Sequence, residues 1–171
     1  SGTLTFSPGT TSQQIVVPVS GDLLLEPDER FTVSLSAPAG ATLGRAVGLG
    51  TILNDDAAPV VSAAPVTVTE GDAGSTTATF TLTLSSPAGV TVTVDYATAD
   101  GTATASTDYA SASGTVTFPP GVVSQPVNIP VFGDTAAEGD ETFSLSLNNP
   151  VNATVAAAAV QGTILNDRSE E

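Results

Sequence analysis

Several kinds of side chain are missing from this chain of 171 residues. It contains no cysteine, histidine, methionine or tryptophan. Disulfide scaffolds, Cys/His zinc sites and Cys–His or Ser–His catalysis are therefore excluded.

Positive charge is also scarce, with 3 basic residues against 18 acidic ones and a formal net charge of −15. The bases are all arginines: Arg30, Arg45 and Arg168. Binding to nucleic acid or to an anionic membrane needs a basic surface, so neither is expected, whereas a cation is a favoured partner. Apolar runs stay short of the roughly 18–20 residues that a spanning helix needs, so direct membrane insertion is not expected either.

Aromatic residues make up only 5% of the chain, and its apolar content is mostly Val, Ala, Leu and Ile. Val and Thr are frequent and are interrupted by 16 glycines and 12 prolines. This composition is typical of strands joined by turns.

An internal repeat organises the chain. The segment Ser1–Gly9 (SGTLTFSPG) matches Ser113–Gly121 (SGTVTFPPG), and Gly50–Asp55 (GTILND) recurs unchanged as Gly162–Asp167. Both pairs share an offset of 112 residues, without a gap. A repeat unit of that length has the size of a small domain.

The offset divides the chain unequally. Residues 1–57 form the second half of one unit, and residues 58–171 form a complete unit. The join at Asp55–Pro59 is short, and Pro59 and Pro65 stiffen it, which predicts a tight junction.

Apolar and polar residues alternate with a period of two along most of the chain, which predicts an all-β sandwich of about seven strands per complete unit. Four alanines, Ala156–Ala159, leave a short helix open as an alternative. The strands predicted in the half unit are Thr3–Phe6, Gln14–Val19, Phe31–Leu35 and Val47–Leu53. In the complete unit they centre on Val66–Val68, Phe80–Leu84, Val90–Tyr96, Val116–Phe118, Val127–Val131, Phe143–Leu147 and Val155–Leu165.

Two copies of one acidic loop stand out, Ser20–Phe31 and Phe132–Phe143. Crowded carboxylates repel one another unless a cation lies between them. Calcium takes about 6–8 oxygen ligands at roughly 2.3–2.6 Å, so a sandwich must collect them from several loops at one end. In the complete unit the candidate ligands are Asp134, Glu138 and Glu141 in the loop, Asn166 and Asp167 after the last strand, Glu70 after the first strand, and Asp108 in a turn-rich loop.

Five segments in this order resemble the Calx-beta domain, a calcium-binding module of sodium–calcium exchangers and many bacterial surface proteins. They are Asp100–Ala103, Thr107–Tyr109, Gly114–Gly121, Glu138–Phe143 and Ile164–Asp167. The resemblance covers all of the complete unit and the half unit up to residue 57.

The resemblance implies a Greek-key, immunoglobulin-like sandwich with Ca²⁺ at one tip. Its ligand positions fall on the seven residues named above in the complete unit. In the half unit they fall on Asp22, Glu26, Glu29, Asn54, Asp55 and Asp56.

This chain departs from the family pattern in ways that lower the negative charge. Gly133 stands at a position where the exchanger domain has an aspartate, Asn166 is neutral, and Arg168 follows the last candidate ligand. One calcium ion of weak affinity, about 10⁻⁴–10⁻³ M as in extracellular modules, is therefore expected. The alternative is a solvated turn in which Asp140 hydrogen-bonds its own backbone.

Three functions follow from these patterns. The first is a calcium-binding structural or adhesive repeat of a large secreted or cell-surface protein of bacterial type, in which calcium rigidifies the domain tip and the junction between repeats. The second is a calcium-sensing regulatory domain of a membrane transporter. The third is a spacer without metal that assembles into filaments by exchanging strands with other copies.

An enzyme is not expected. Paired carboxylates can hydrolyse glycosides, but the sequence shows no aromatic platform for a sugar and no further catalytic group. The expected partners are calcium, neighbouring repeats and other copies of the chain.

Overall fold

A computed structural model of the protein describes residues 1–167. These residues contain strands and turns but no α-helix, so Ala156–Ala159 is not helical and the all-β prediction is confirmed. No helix in the described part of the chain has the length and apolar character to cross a membrane. The strands are β1 (Glu29–Ser34), β2 (Val47–Ile52), β3 (Val60–Ala63), β4 (Val66–Thr69), β5 (Gly74–Leu84), β6 (Val92–Asp100), β7 (Ser113–Phe118), β8 (Ser124–Gly133), β9 (Glu141–Val151), β10 (Thr154–Val155) and β11 (Ala159–Leu165).

The complete unit is a sandwich of two sheets, with strand orders β10-β3-β5-β8 and β4-β11-β9-β6-β7. One edge segment serves both sheets: β3 pairs antiparallel with β5, and β4 pairs parallel with β11. The switch falls at Ala64-Pro65, where proline cannot donate to a ladder. Counted as one strand, β3 and β4 join β5, β6, β7, β8, β9 and β11 to give the expected set of about seven, with the two-residue β10 in addition.

Alternation along the strands produces the core between the sheets. The inward residues of β5 are Ala78, Phe80, Leu82 and Leu84, all nearly or fully buried, while the threonines between them face outward. The pleat of a strand sends successive side chains to opposite faces, which explains this pattern. The core is therefore confined to the complete unit.

The last predicted strand of the complete unit is interrupted. Residues 156–158 leave the ladder between β10 and β11, and β10 joins the opposite sheet by pairing in parallel with β3. The predicted strand Val155–Leu165 is therefore wrong at residues 156–158 and is divided there into β10 and β11. The sequence pattern also did not predict β3, whose four residues lie just before Pro65.

The half unit forms a single hairpin, in which β1 pairs antiparallel with β2. The strands predicted at Thr3–Phe6 and Gln14–Val19 do not form. Their counterparts in the complete unit, β7 and β8, pair with β6 and β5, and the sequence given contains no counterparts of those partners for the half unit. An extended segment without a hydrogen-bonded neighbour is not stabilised as a strand.

Candidate metal centre at the tip of the complete unit

Glu70 is positioned by β4, at the edge of the larger sheet. It follows β4 directly, and its backbone N–H donates to the carbonyl of Leu165 at 3.2 Å. Its side chain is 7% exposed and is the one buried charged or polar residue among the described residues. Burial raises the pKa of its carboxyl, and nearby carboxylates raise it further, namely Asp134, Glu138, Asp167 and Asp108.

Asp108 is held by its own loop and by a neighbouring strand. Its Oδ2 accepts the backbone N–H of Thr104 at 2.7 Å, and its own N–H donates to the Thr104 carbonyl at 3.0 Å. Its carbonyl accepts the N–H of Phe132, at the end of β8, at 2.9 Å. These bonds hold Asp108 next to the acidic loop that follows β8.

Tyr109 anchors the same loop in the core. It is 1% exposed, and its ring stacks on Phe143 with centroids 4.6 Å apart. Its hydroxyl donates to Oδ1 of Asp100, which also accepts the N–H of Ala105 at 3.0 Å. Burial, followed by the hydrogen bond and charge of Asp100, raises the pKa of Tyr109 to about 12. Tyr109 is therefore a packing residue of the core.

The acidic loop between β8 and β9 is tied to the end of β11. Asn166 donates its backbone N–H to Oδ1 of Asp140 at 3.3 Å and its side-chain amide to the carbonyl of Glu138. Asp134 accepts the N–H of Ala136 at 2.6 Å within the loop. The described hydrogen bond of Asp140 thus runs to Asn166, 26 residues away, rather than to its own loop as the solvated-turn alternative had it.

Three carboxylates meet at this tip, from the loop between β6 and β7, the loop between β8 and β9, and the first residue of β9. Asp108, Glu138 and Glu141 each place an oxygen within 4.8 Å of the others, and the residues are half-buried, exposed and half-buried respectively. We call them the three-carboxylate cluster. Burial raises the pKa of Glu141 to about 7, and the charge and hydrogen bond of Asp108 and the charges of Glu138 and Glu70 add to the effect. The cluster thus concentrates negative charge that either a proton or a cation can neutralise.

The other candidate ligands of the complete unit lie around the cluster. Glu70, Asp134 and Asp167 are near enough for charge interaction, as the raised pKa of Glu70 shows. Asn166 points its amide nitrogen at Glu138, so in this arrangement it positions the loop. Arg168 lies outside the described residues.

The candidates of the half unit are not gathered in this way. Within residues 1–167, the three-carboxylate cluster is the one group of three acidic side chains whose oxygens lie within 4.8 Å of one another. Asp22 accepts the N–H of Leu24 at 2.8 Å, which repeats the bond between Asp134 and Ala136. Asp28 accepts the N–H of Asn54 at 3.0 Å, which repeats the bond between Asp140 and Asn166. The acidic loop of the half unit therefore repeats these two hydrogen bonds, but its carboxylates do not form a cluster. The five acidic candidates left apart are Asp22, Glu26, Glu29, Asp55 and Asp56.

Gly133 explains one departure from the expected ligand set. A Cβ built on it would lie 2.3 Å from the Gly71 carbonyl oxygen and 2.8 Å from that of Glu70. The end of β8 thus packs directly on the loop that carries Glu70, and a side chain at 133 would force the two apart. Sequence reasoning missed this contact, and it also missed Asp100 as the partner of Tyr109.

The fold and the tip together define a class of protein: a two-sheet, immunoglobulin-like module with converging carboxylate loops at one end. A family model of the Calx-beta domain matches residues 1–56 and 54–168. The chain therefore belongs to the Calx-beta domain family.

Comparison with individual proteins agrees with this assignment. The chain is 40% identical over 72 residues to the sodium/calcium exchanger Calx of Drosophila melanogaster, a match that covers 42% of this chain and 8% of the exchanger. The solved apo-form Calx CBD1 domain matches with a TM-score of 0.56 and 30% identity, over 64% of this chain and 98% of that one.

A tandem structure also matches. The structure described as calcium binding domain CBD12 of CALX1.1 has a TM-score of 0.57 and 30% identity, over 63% of this chain and 45% of that one. A second structure, CBD12 from CALX1.2, matches with the same TM-score and 31% identity, again over 63% of this chain and 45% of that one.

Proposed function

We propose that the complete unit binds a calcium ion at its tip through the three-carboxylate cluster, with Glu70, Asp134 and Asp167 as further oxygen donors. The observation that carries the proposal is the approach of Asp108, Glu138 and Glu141 to within 4.8 Å. Like charges held this close oppose folding unless a proton or a cation neutralises them. A relative described as a calcium binding domain supports the choice of ion.

The donor set fits calcium better than other common metals. All the gathered groups are carboxylates, and the chain has neither histidine nor cysteine for zinc or copper. Calcium accepts flexible arrays of 6–8 oxygens, whereas magnesium demands a near-octahedral shell and retains its waters. Loops that hold their carboxylates at unequal depths, such as buried Glu70 and exposed Glu138, suit the larger ion.

Calorimetry of the metal-stripped protein tests this proposal. Calcium should bind with a stoichiometry of one and an affinity of about 10⁻⁴–10⁻³ M, and magnesium should bind more weakly. The variant E138Q should weaken binding, whereas E29Q, in the half unit, should not. Absence of calcium-dependent heat at millimolar concentrations, in protein shown to be folded, would refute the proposal.

For the biological role, we propose a structural repeat in which calcium stiffens the tip and the junction, as in a secreted or cell-surface protein. The short join of the two units and the weak ligand set support this role. The regulatory alternative is supported by the relationship to a sodium/calcium exchanger. Affinity separates the two roles, since sensors bind calcium at about 10⁻⁷–10⁻⁵ M. In neither role does the chain act as an enzyme.

Self-association is a third part of the proposal, and the exposed face of the half unit supports it. Phe6 is 54% exposed, whereas its counterpart Phe118 is fully buried, and Val19 and Val131 show the same contrast. A hollow of about 310 Å³ opens among Ile15, Val33 and Leu35. Exposed apolar surface recruits partners, so light scattering should show concentration-dependent oligomers, and a strictly monomeric protein would rule this out.

A further inference from the structure

The acidic loop of the half unit, Ser20–Phe31, contacts the complete unit. Leu25 forms a parallel bridge with Ala88, in the loop between β5 and β6, and its carbonyl accepts the N–H of Gly89 at 3.0 Å. Leu25 is half-buried and packs against the core of the complete unit, whereas Leu23, two residues earlier, is 82% exposed. Leu25 of this loop therefore packs against the neighbouring unit.

The receiving loop is shaped for this contact. Ala88 is 2% exposed, and its carbonyl accepts the N–H of Gly121 at 2.9 Å, which anchors the loop to the turn after β7. A Cβ on Gly89 would lie 2.7 Å from both Cγ and Oε1 of Glu26. Only a residue without a side chain allows Glu26 to pass this close.

A second contact ties the loop to the join between the units. Asn54 accepts the N–H of Glu26 on its Oδ1 at 3.1 Å and donates its amide to the carbonyl of Asp56 at 3.1 Å. Its own N–H donates to Oδ1 of Asp28. The loop is thereby fixed both to the join and to the next unit.

We infer that Leu25 is a docking residue that fixes the orientation of the half unit on the complete unit, through the socket at Ala88 and Gly89. At the corresponding position the complete unit has Ala137, whose side chain is a single methyl group. The contacts described at this junction are apolar packing and hydrogen bonds, and the stiffening by calcium proposed above would add to them.

Distance measurements between the units test this inference, and the lack of native cysteine makes labelling clean. Spin labels are attached at Thr32→Cys in β1 and Thr81→Cys in β5, both exposed positions. Pulsed dipolar spectra are recorded in EDTA, so the result does not depend on the calcium proposal. The labelled protein should show one narrow distance distribution, and L25A should broaden its width at least twofold.

L23A is the matched control, since it removes the same side chain from an exposed position of the same loop, and its distribution should stay narrow. Thermal unfolding of each variant verifies that the complete unit remains folded. An L25A distribution as narrow as that of the parent, or equal broadening in L25A and L23A, would overturn the inference.

Discussion

The ring of Tyr109 lies parallel to the ring of Phe143, with centroids 4.6 Å and planes 16° apart. Asp108 precedes the first ring, and Glu141 lies two residues before the second, so the stack in the core holds two members of the three-carboxylate cluster at its surface. Phe80 closes the group with an edge contact to Phe143 at 5.8 Å. The position of the candidate metal centre therefore depends on aromatic packing beneath it.

Replacing Tyr109 separates the two functions of its side chain. Y109F retains the stack but removes the hydrogen bond to Asp100, so it should cost about 1 kcal/mol of unfolding free energy and lower calcium affinity only slightly. Y109A also removes the ring and should cost about 3–5 kcal/mol. Urea unfolding measures both values, and equal losses in the two variants would contradict this division.

Replacing Glu141 should have opposite effects on stability and on calcium binding. E141Q removes one of three crowded charges, so the metal-free protein at pH 8 should become more stable. Calcium affinity should fall roughly tenfold or more, because a charged ligand is lost. Melting in EDTA and calorimetry with calcium test the two effects, and E29Q, remote from the cluster, should show neither.

The pKa of Glu141 predicts how metal-free stability depends on pH. In the folded protein it is about 7, above the ordinary value of 4.5, so folding favours the protonated carboxyl. This contribution to stability is complete below about pH 4.5 and is lost as the pH rises through 7. The carboxyl of Glu70, whose pKa is also raised, acts in the same direction.

Unfolding in EDTA should therefore show declining stability between about pH 5 and pH 8. Saturating calcium should offset the decline, by about 2.7 kcal/mol at 100 times the dissociation constant. Stability in EDTA that rises over this range, in protein whose other groups are unchanged, would contradict the assignment to Glu141.

Gly133 should tolerate no side chain. G133A places a Cβ against the carbonyls of Gly71 and Glu70 and should cost about 1–3 kcal/mol through forced movement of the backbone. G139A is the control in the same loop, since a Cβ there would meet nothing within 4 Å. Chemical denaturation of both variants measures the difference, which should also appear as weaker calcium binding in G133A alone.

Much of the fold was predictable because it depends on local pattern. Alternation in segments such as Phe80–Leu84 specifies both the strand and its buried face, since each side chain follows the pleat. The break in the last strand at residues 156–158 was not predictable, because it depends on β10 finding β3 in the other sheet. The absent strands at Thr3–Phe6 and Gln14–Val19 depended on partners rather than on their own residues.

The candidate site was predictable as a set of residues but not as an arrangement. The acidic loop, the positions of acidic residues at strand ends and the resemblance to the Calx-beta domain identified Glu70, Asp108, Asp134, Glu138 and Glu141 as residues that could meet at one tip. Distances decided that three of them form a compact cluster, that Asn166 ties the loop in place, and that the same loop in the half unit serves as a contact instead.

By itself the sequence determined the all-β class, the offset of 112 residues and the acidic character of the tip, because these follow from periodicity, self-similarity and charge along one chain. Only the tertiary structure decided that Asp108 meets Glu138 and Glu141, that Gly133 excludes a side chain, and that Leu25 packs against the next unit. Each of these is a contact between segments distant in sequence, and the close packing of folded neighbours decides such contacts.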